Sequence, residues 1–158
     1  MKKLMIKKHF KEVLEVKMSP QAIAMGFAIG TLIAILPTMG LGIFIGLLVL
    51  LVLKRISKIS MFISFAIWNP IVLTILYPIE YWIGDMVLPN LPIINFKLQV
   101  ANQLFLYTRR FLFGSFLLSI FLSIISYVVV LIIVSKYQKK KIKSLKEELI
   151  LAEEELKI

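Results

Sequence analysis

Thirty-six consecutive residues, Met18 to Leu53, carry no charged side chain. As one straight α-helix they would extend roughly 54 Å, whereas the hydrocarbon core of a bilayer is only about 30 Å thick. The stretch is too long for one span, and Pro37 with Gly40 and Gly42 falls near its middle. Pro37 removes a backbone donor and the glycines loosen the chain, which predicts a helix broken inside an apolar environment.

The rest of the chain fits a membrane protein. Of 158 residues 59% are hydrophobic and mean hydropathy is +0.91, far from the soluble average. Two further uncharged runs, Ile59 to Ile79 and Phe111 to Ser135, are long enough to cross a bilayer. The net charge of +10 follows these runs: sixteen of the nineteen basic residues lie within 1–18, 54–58 and 136–158. Placing those clusters inside satisfies the positive-inside rule and argues against a nucleic-acid partner. The chain has no cysteine, which removes disulfides and thiolate catalysis. Its single histidine, His9, lies among lysines and reads as a surface residue.

These signals predict an all-α, polytopic helical membrane protein, multi-pass with both termini cytoplasmic; the prokaryotic inner membrane is what the family resemblance given below implies. Residues 1–18 form an amphipathic interfacial helix, because Ile6, Phe10, Val13 and Leu14 share one face among lysines. They hold no apolar core of signal-peptide type, so retention is expected. Residues 19–135 form the membrane domain: a hairpin over 19–53 broken near 37–40, a span over 59–79, an external loop over 80–108 and a span over 111–135. Ser19 and Pro20 supply an N-cap and a first helical residue. Residues 136–158 form a charged cytoplasmic helix. There Ile142, Leu145, Leu149, Ala152 and Leu156 alternate three and four apart, the register of a short coiled coil suited to self-association or partner docking.

Candidate ligand contacts cluster at the breaks. Backbone freed by Pro37 survives at membrane depth only in a protein interior or beside water, and a half-helix starting there offers N–H groups to an anion. Gly40 and Gly42 belong to that break, and the hydroxyls of Thr31 and Thr38 add donors. A second interruption follows at Asn69 and Pro70, after a Phe-Ala-Ile that repeats Phe27 to Ile29 at Phe65 to Ile67. Asn69 either caps the broken backbone or holds a ligand headgroup. Gly26 with Gly30, and Gly42 with Gly46, form small faces on which the two halves of the first segment can pack together.

Elsewhere the sequence offers no chemistry. Glu80 and Asp85 read as solvated interface charges beside Tyr77, Tyr81 and Trp82, with neither nucleophile nor metal set nearby. The stretch after Pro89 and Pro92, as far as Tyr107, reads as surface-lying. Ser115, Ser119, Ser123 and Ser126 share one helix face and read as a seam, with a polar pathway as the minority alternative. No catalytic residue, metal site or cofactor is expected, and the chain is not read as an enzyme.

The motifs "SPQAIAMGFAIGTLIAILPTMG", "KRISK", "WNP" and "YPIEYWIGDMVL" resemble the prokaryotic membrane domain known as domain-of-unknown-function family 2062. The marks are Pro20, Ala24, Gly26, Gly30, Pro37, Gly40, Asn69, Pro70, Tyr81 and Gly84. Two departures stand out: Ser57 or Lys58 where the family commonly has Asn, and Ile71 and Val72 where it has Thr. The resemblance implies an integral membrane domain, sometimes met beside glycosyltransferases, and brings no established activity.

Two functions from different classes follow. One is a transporter or flippase-like protein whose broken helices receive an anionic lipid-linked substrate such as a polyprenyl phosphate. The other is a noncatalytic membrane scaffold, homo-oligomeric or recruiting a cytoplasmic glycosyltransferase through its tail. Whether the breaks at Pro37 and Asn69 meet around a cavity separates them.

Overall fold

The computed structural model describes residues 18–38, 41–53, 55–88 and 99–155. Among them the fold is all-α, with five helices and no strand: α1 (Pro20–Ile35), α2 (Gly42–Val52), α3 (Lys58–Ile67), α4 (Pro70–Val87) and α5 (Gln99–Glu155). The interfacial helix expected over residues 1–17 lies outside the described residues, as do Gly40, Pro89 and Pro92.

Each boundary has a local cause. Ser19 Oγ accepts from the Ala22 amide at 3.2 Å and Pro20 opens α1. Leu36 then adopts extended backbone, as the residue before a proline prefers, and α1 stops ahead of Pro37. The α3 start is capped by Ser57, whose Oγ accepts from the Ser60 amide at 3.3 Å. Asn69 caps α4, its Oδ1 accepting from the amides of Ile71 and Val72 at 3.0 and 3.1 Å, with Pro70 at the first helical position. The axis bends by 71° between α3 and α4, so the run from Ile59 to Ile79 is a broken pair rather than a straight rod.

α1 is the centre of the packing. One side rests on α3, where Gly26 meets the Ser57 backbone and Gly30 meets Ser64 and Met61. Polar bonds tie the same contact: Ser57 N donates to Ala22 O at 3.0 Å and Ser60 Oγ to Ile23 O at 2.7 Å. Its other side rests on α5, where Ser123 Oγ donates to Ala28 O at 2.8 Å. The Gly26–Gly30 face thus serves α3, and the Gly42–Gly46 face serves α1 and α3. α1 and α2 do touch, Gly42 facing Ile33 and Thr38, while α2 also presents Gly46 to Phe65 and Met61 of α3. Leu50, Ile56 and Met61 form the buried apolar cluster there, supported by Ile29, Val49 and Phe65. The physical reason is shape: Phe65 and Met61 fill the groove that a glycine leaves on α2.

α5 runs unbroken for 57 residues, about 86 Å at 1.5 Å per residue. Residues 99–107, part of the stretch read from sequence as surface-lying, are the start of this helix, and the charged residues 136–155 are its continuation. The edge formed by Leu145, Leu149, Ala152 and Leu156 falls on side chains outside the described part. Of the four serines on one face, Ser115 and Ser123 donate across to Glu80 of α4 and the Ala28 carbonyl of α1, while Ser119 and Ser126 donate back to the Phe116 and Ser123 carbonyls of α5 itself.

Between Gln99 and Ser144, α5 is long and apolar enough to cross a membrane, and only 11% of its most apolar window is buried. A soluble core helix of that composition would be mostly covered. The bent pair α3–α4 makes a second candidate span if taken together, while α1 and α2 are too short to span alone. Around α2, Phe44, Leu48, Leu51 and Val52 all face outward.

Candidate functional site

The two breaks meet. A cavity of about 320 Å³ opens between them, lined on one side by Pro37, Thr38 and Gly42 and on the other by Trp68, Pro70 and Tyr77. The turn on the first side is held by Leu41 N donating to Thr38 O at 2.9 Å. Two helix N-termini start at this cavity, those of α2 and α4. The α4 start is capped by Asn69, but the α2 start, preceded by Leu41, has no side-chain cap. Uncapped N-terminal amides carry the positive end of the helix dipole, and Gly42 keeps the approach to them open. Most of the remaining wall is apolar, including Phe65 and Leu73.

Trp68 ties the second break to the body of α1. Its Nε1 donates to Thr31 Oγ1 at 3.0 Å, so α1 and the α3–α4 corner share one hydrogen bond. Thr31 is fully buried beneath this contact and does not line the cavity. Thr38 and Gly42 do line it. Asn69 sits at the corner as a backbone cap, outside the cavity lining. Of the five residues expected at a ligand site, two thus face the cavity, two build its frame, and Gly40 lies outside the described residues. Trp68 and Tyr77 were not foreseen; an indole beside Asn-Pro in an apolar run was the available signal, since a buried N–H needs an acceptor.

The Trp68–Thr31 bond gives a direct test of that frame. Trp68→Phe should lower stability in detergent by about 1–2 kcal/mol, because Thr31 Oγ1 loses its donor. Adding Thr31→Val should cost less than the two single changes summed, since both partners are then apolar. Thermal unfolding of the four proteins measures the coupling.

A second polar group lies between α4 and α5. Arg110 Nη1 is 2.6 Å from Asp85 Oδ1 and 3.2 Å from the Tyr81 hydroxyl, and Tyr81 stacks on Tyr107 with ring centroids 5.1 Å apart. Glu80, expected to be solvated, is instead 0% exposed, with Oε2 held by Ser115 Oγ at 2.6 Å. It is buried because Gly84 and Gly114 let the two backbones touch: a methyl on Gly84 would overlap the Arg110 carbonyl and one on Gly114 the Glu80 carbonyl. The sequence placed Glu80 beside interface aromatics and gave no sign of this crossing.

Residues 3–143 match the model of a family described as an uncharacterized protein conserved in bacteria, DUF2062. The chain belongs to that family. No curated protein and no solved structure matches it. The family marks take physical roles here: Pro20 and Pro70 begin helices, Gly26 and Gly30 seat α3, Pro37 ends α1, and Gly84 seats α5. Ser57 caps α3 as an Asn would, and Ile71 contributes its backbone amide to the Asn69 cap.

Proposed function

We propose that this DUF2062 protein is a multi-pass protein of the bacterial inner membrane, with both termini cytoplasmic, that binds and moves an anionic lipid-linked substrate of the polyprenyl phosphate class. The observation that carries this reading is the meeting of the two breaks around one cavity. A half-helix N-terminus without a side-chain cap suits a phosphate, and the Thr38 hydroxyl adds a donor. Apolar walls suit the chain that carries the phosphate. The exposed apolar faces of α2 and α5 favour a lipid surround on several sides, and the basic clusters favour an inside location for the ends.

The scaffold reading keeps one supporting observation. α5 is far longer than a bilayer is thick, so its distal part projects beyond the membrane; that part carries the exposed Lys143–Glu147 pair at 3.8 Å and offers a docking rod for a cytoplasmic enzyme or a second copy. This is compatible with a lipid site in the membrane domain.

Binding to purified protein in lipid nanodiscs tests the first reading. A polyprenyl phosphate should bind about 10- to 150-fold tighter than its uncharged alcohol, the range for hydrogen bonds to a charged group worth about 1.5–3 kcal/mol. Equal binding of the two would remove the lipid-phosphate reading and leave the scaffold.

A further inference from the structure

The seam between α4 and α5 encloses an acidic side chain with half of its hydrogen-bonding capacity unmet. Glu80 is 0% exposed, Ser115 Oγ lies 2.6 Å from its Oε2, and its Oε1 has no partner among the described residues. The helices cross closely beside it, Gly84 against the Arg110 carbonyl and Gly114 against the Glu80 carbonyl. The nearby cation is engaged elsewhere, because Arg110 Nη1 pairs with Asp85 and Tyr81. The other titratable groups of these two helices near Glu80 are Tyr77, Tyr107 and Arg109; α1 has none and α3 has only Lys58.

An ionised carboxylate offers acceptors only, on two oxygens, and here a single hydroxyl serves them. Burying a charge so sparsely bonded is far more costly than burying a neutral acid. The neutral acid fits the same geometry. Its O–H donates to Ser115 Oγ along the observed 2.6 Å line, and the remaining carbonyl oxygen is an uncharged orphan. One contact thus serves both states with donor and acceptor exchanged. Serine is suited to this, since its hydroxyl does either.

We propose that Glu80 is a proton-binding site, holding a proton while α4 and α5 are closed and exchanging it through Ser115 when they part. On release the carboxyl O–H bond breaks and its proton passes to the Ser115 oxygen, while the serine's own proton goes to a water molecule entering the seam. Uptake is the reverse, and no electrons are exchanged. The site stands apart from the lipid reading: its ligand is a proton and its place is the α4–α5 seam. Tyr77, three residues before Glu80 on α4, lines the cavity, so the same helix reaches both sites.

Infrared difference spectroscopy on the full chain in nanodiscs, with isotope-labelled glutamate, tests this. The wild-type protein should show a protonated-carboxyl band that moves in heavy water, falls as pH rises, and is lost in Glu80→Gln. Ser115→Ala should shift that band upward in frequency and slow its exchange, which assigns it to Glu80 even if the Gln variant folds poorly. A folded wild-type protein with no such band at any pH overturns the proposal. So does a band indifferent to pH and heavy water, which marks a permanently locked acid, or one unmoved by Ser115→Ala.

Discussion

Gly114→Ala is expected to push α4 away from α5 and to destabilise the protein by about 3 kcal/mol, the upper part of the range for overpacked interiors. The added methyl would overlap the Glu80 carbonyl and crowd the Gly84 amide at 2.9 Å, and backbone cannot rotate aside as a side chain can. Helix propensity works in the opposite direction, since Ala is better than Gly in a helix interior by about 1 kcal/mol. The clash is the larger effect, so the sign of the change is itself informative. Gly84→Ala should behave alike, its methyl meeting the Arg110 carbonyl. Ile132→Ala, on the exposed face of the same helix, should stay within about 0.5 kcal/mol. Unfolding in detergent, followed by far-ultraviolet circular dichroism, measures all three, and a stabilised Gly114→Ala would mean that the helices do not cross here.

The second large effect is expected at Gly42. A Cβ at this position would stand 3.1 Å from Thr38 Oγ1 and 3.7 Å from Ile33, which small adjustments absorb. Gly42→Ala should therefore keep the fold and most of the cavity. Gly42→Leu adds a side chain that occupies the cavity in front of the α2 N-terminus. It should weaken polyprenyl phosphate binding at least tenfold, about 1.4 kcal/mol, beside a stability cost of about 1–3 kcal/mol from crowding Thr38 and Ile33. Asn69→Leu is a poorer probe, because Asn69 caps α4 from outside the cavity lining and its loss costs about 1 kcal/mol of folding stability on its own. Binding isotherms for wild type, Gly42→Ala and Gly42→Leu in the same nanodiscs make the comparison. Unaltered binding by Gly42→Leu would place the phosphate elsewhere.

The parts of this fold that sequence revealed are those set by local chemistry. Ser19-Pro20, Leu36-Pro37 and Asn69-Pro70 each act on backbone within three residues of themselves, so helix starts and breaks were readable without tertiary knowledge. The glycine spacing revealed close-packing faces but not their partners: Gly26 and Gly30 meet α3, not α2, because partner choice depends on where Ser57, Met61 and Ser64 arrive in space. The angle of the second break, 71°, and the unbroken run of α5 were hidden, since Asn69-Pro70 marks where the helix restarts but not its new direction, and the length of α5 is dictated by no single residue. Glu80 was the largest miss. An acid beside Tyr81 and Trp82 reads as interfacial, and only the crossing of Gly84 with Gly114, thirty positions apart, encloses it.

The central claim is that the breaks at Pro37 and Asn69 enclose one site for the phosphate of a lipid carrier. A polyprenyl phosphate bearing a photoreactive group next to the phosphate, crosslinked in nanodiscs and mapped by mass spectrometry, tests it most directly. Labelling is expected on both sides of the cavity, within residues 37–43 and 65–77, with competition by unlabelled phosphate and not by the alcohol. Labelling confined to the outward faces of α2 and α5, or competed equally by the alcohol, would contradict it.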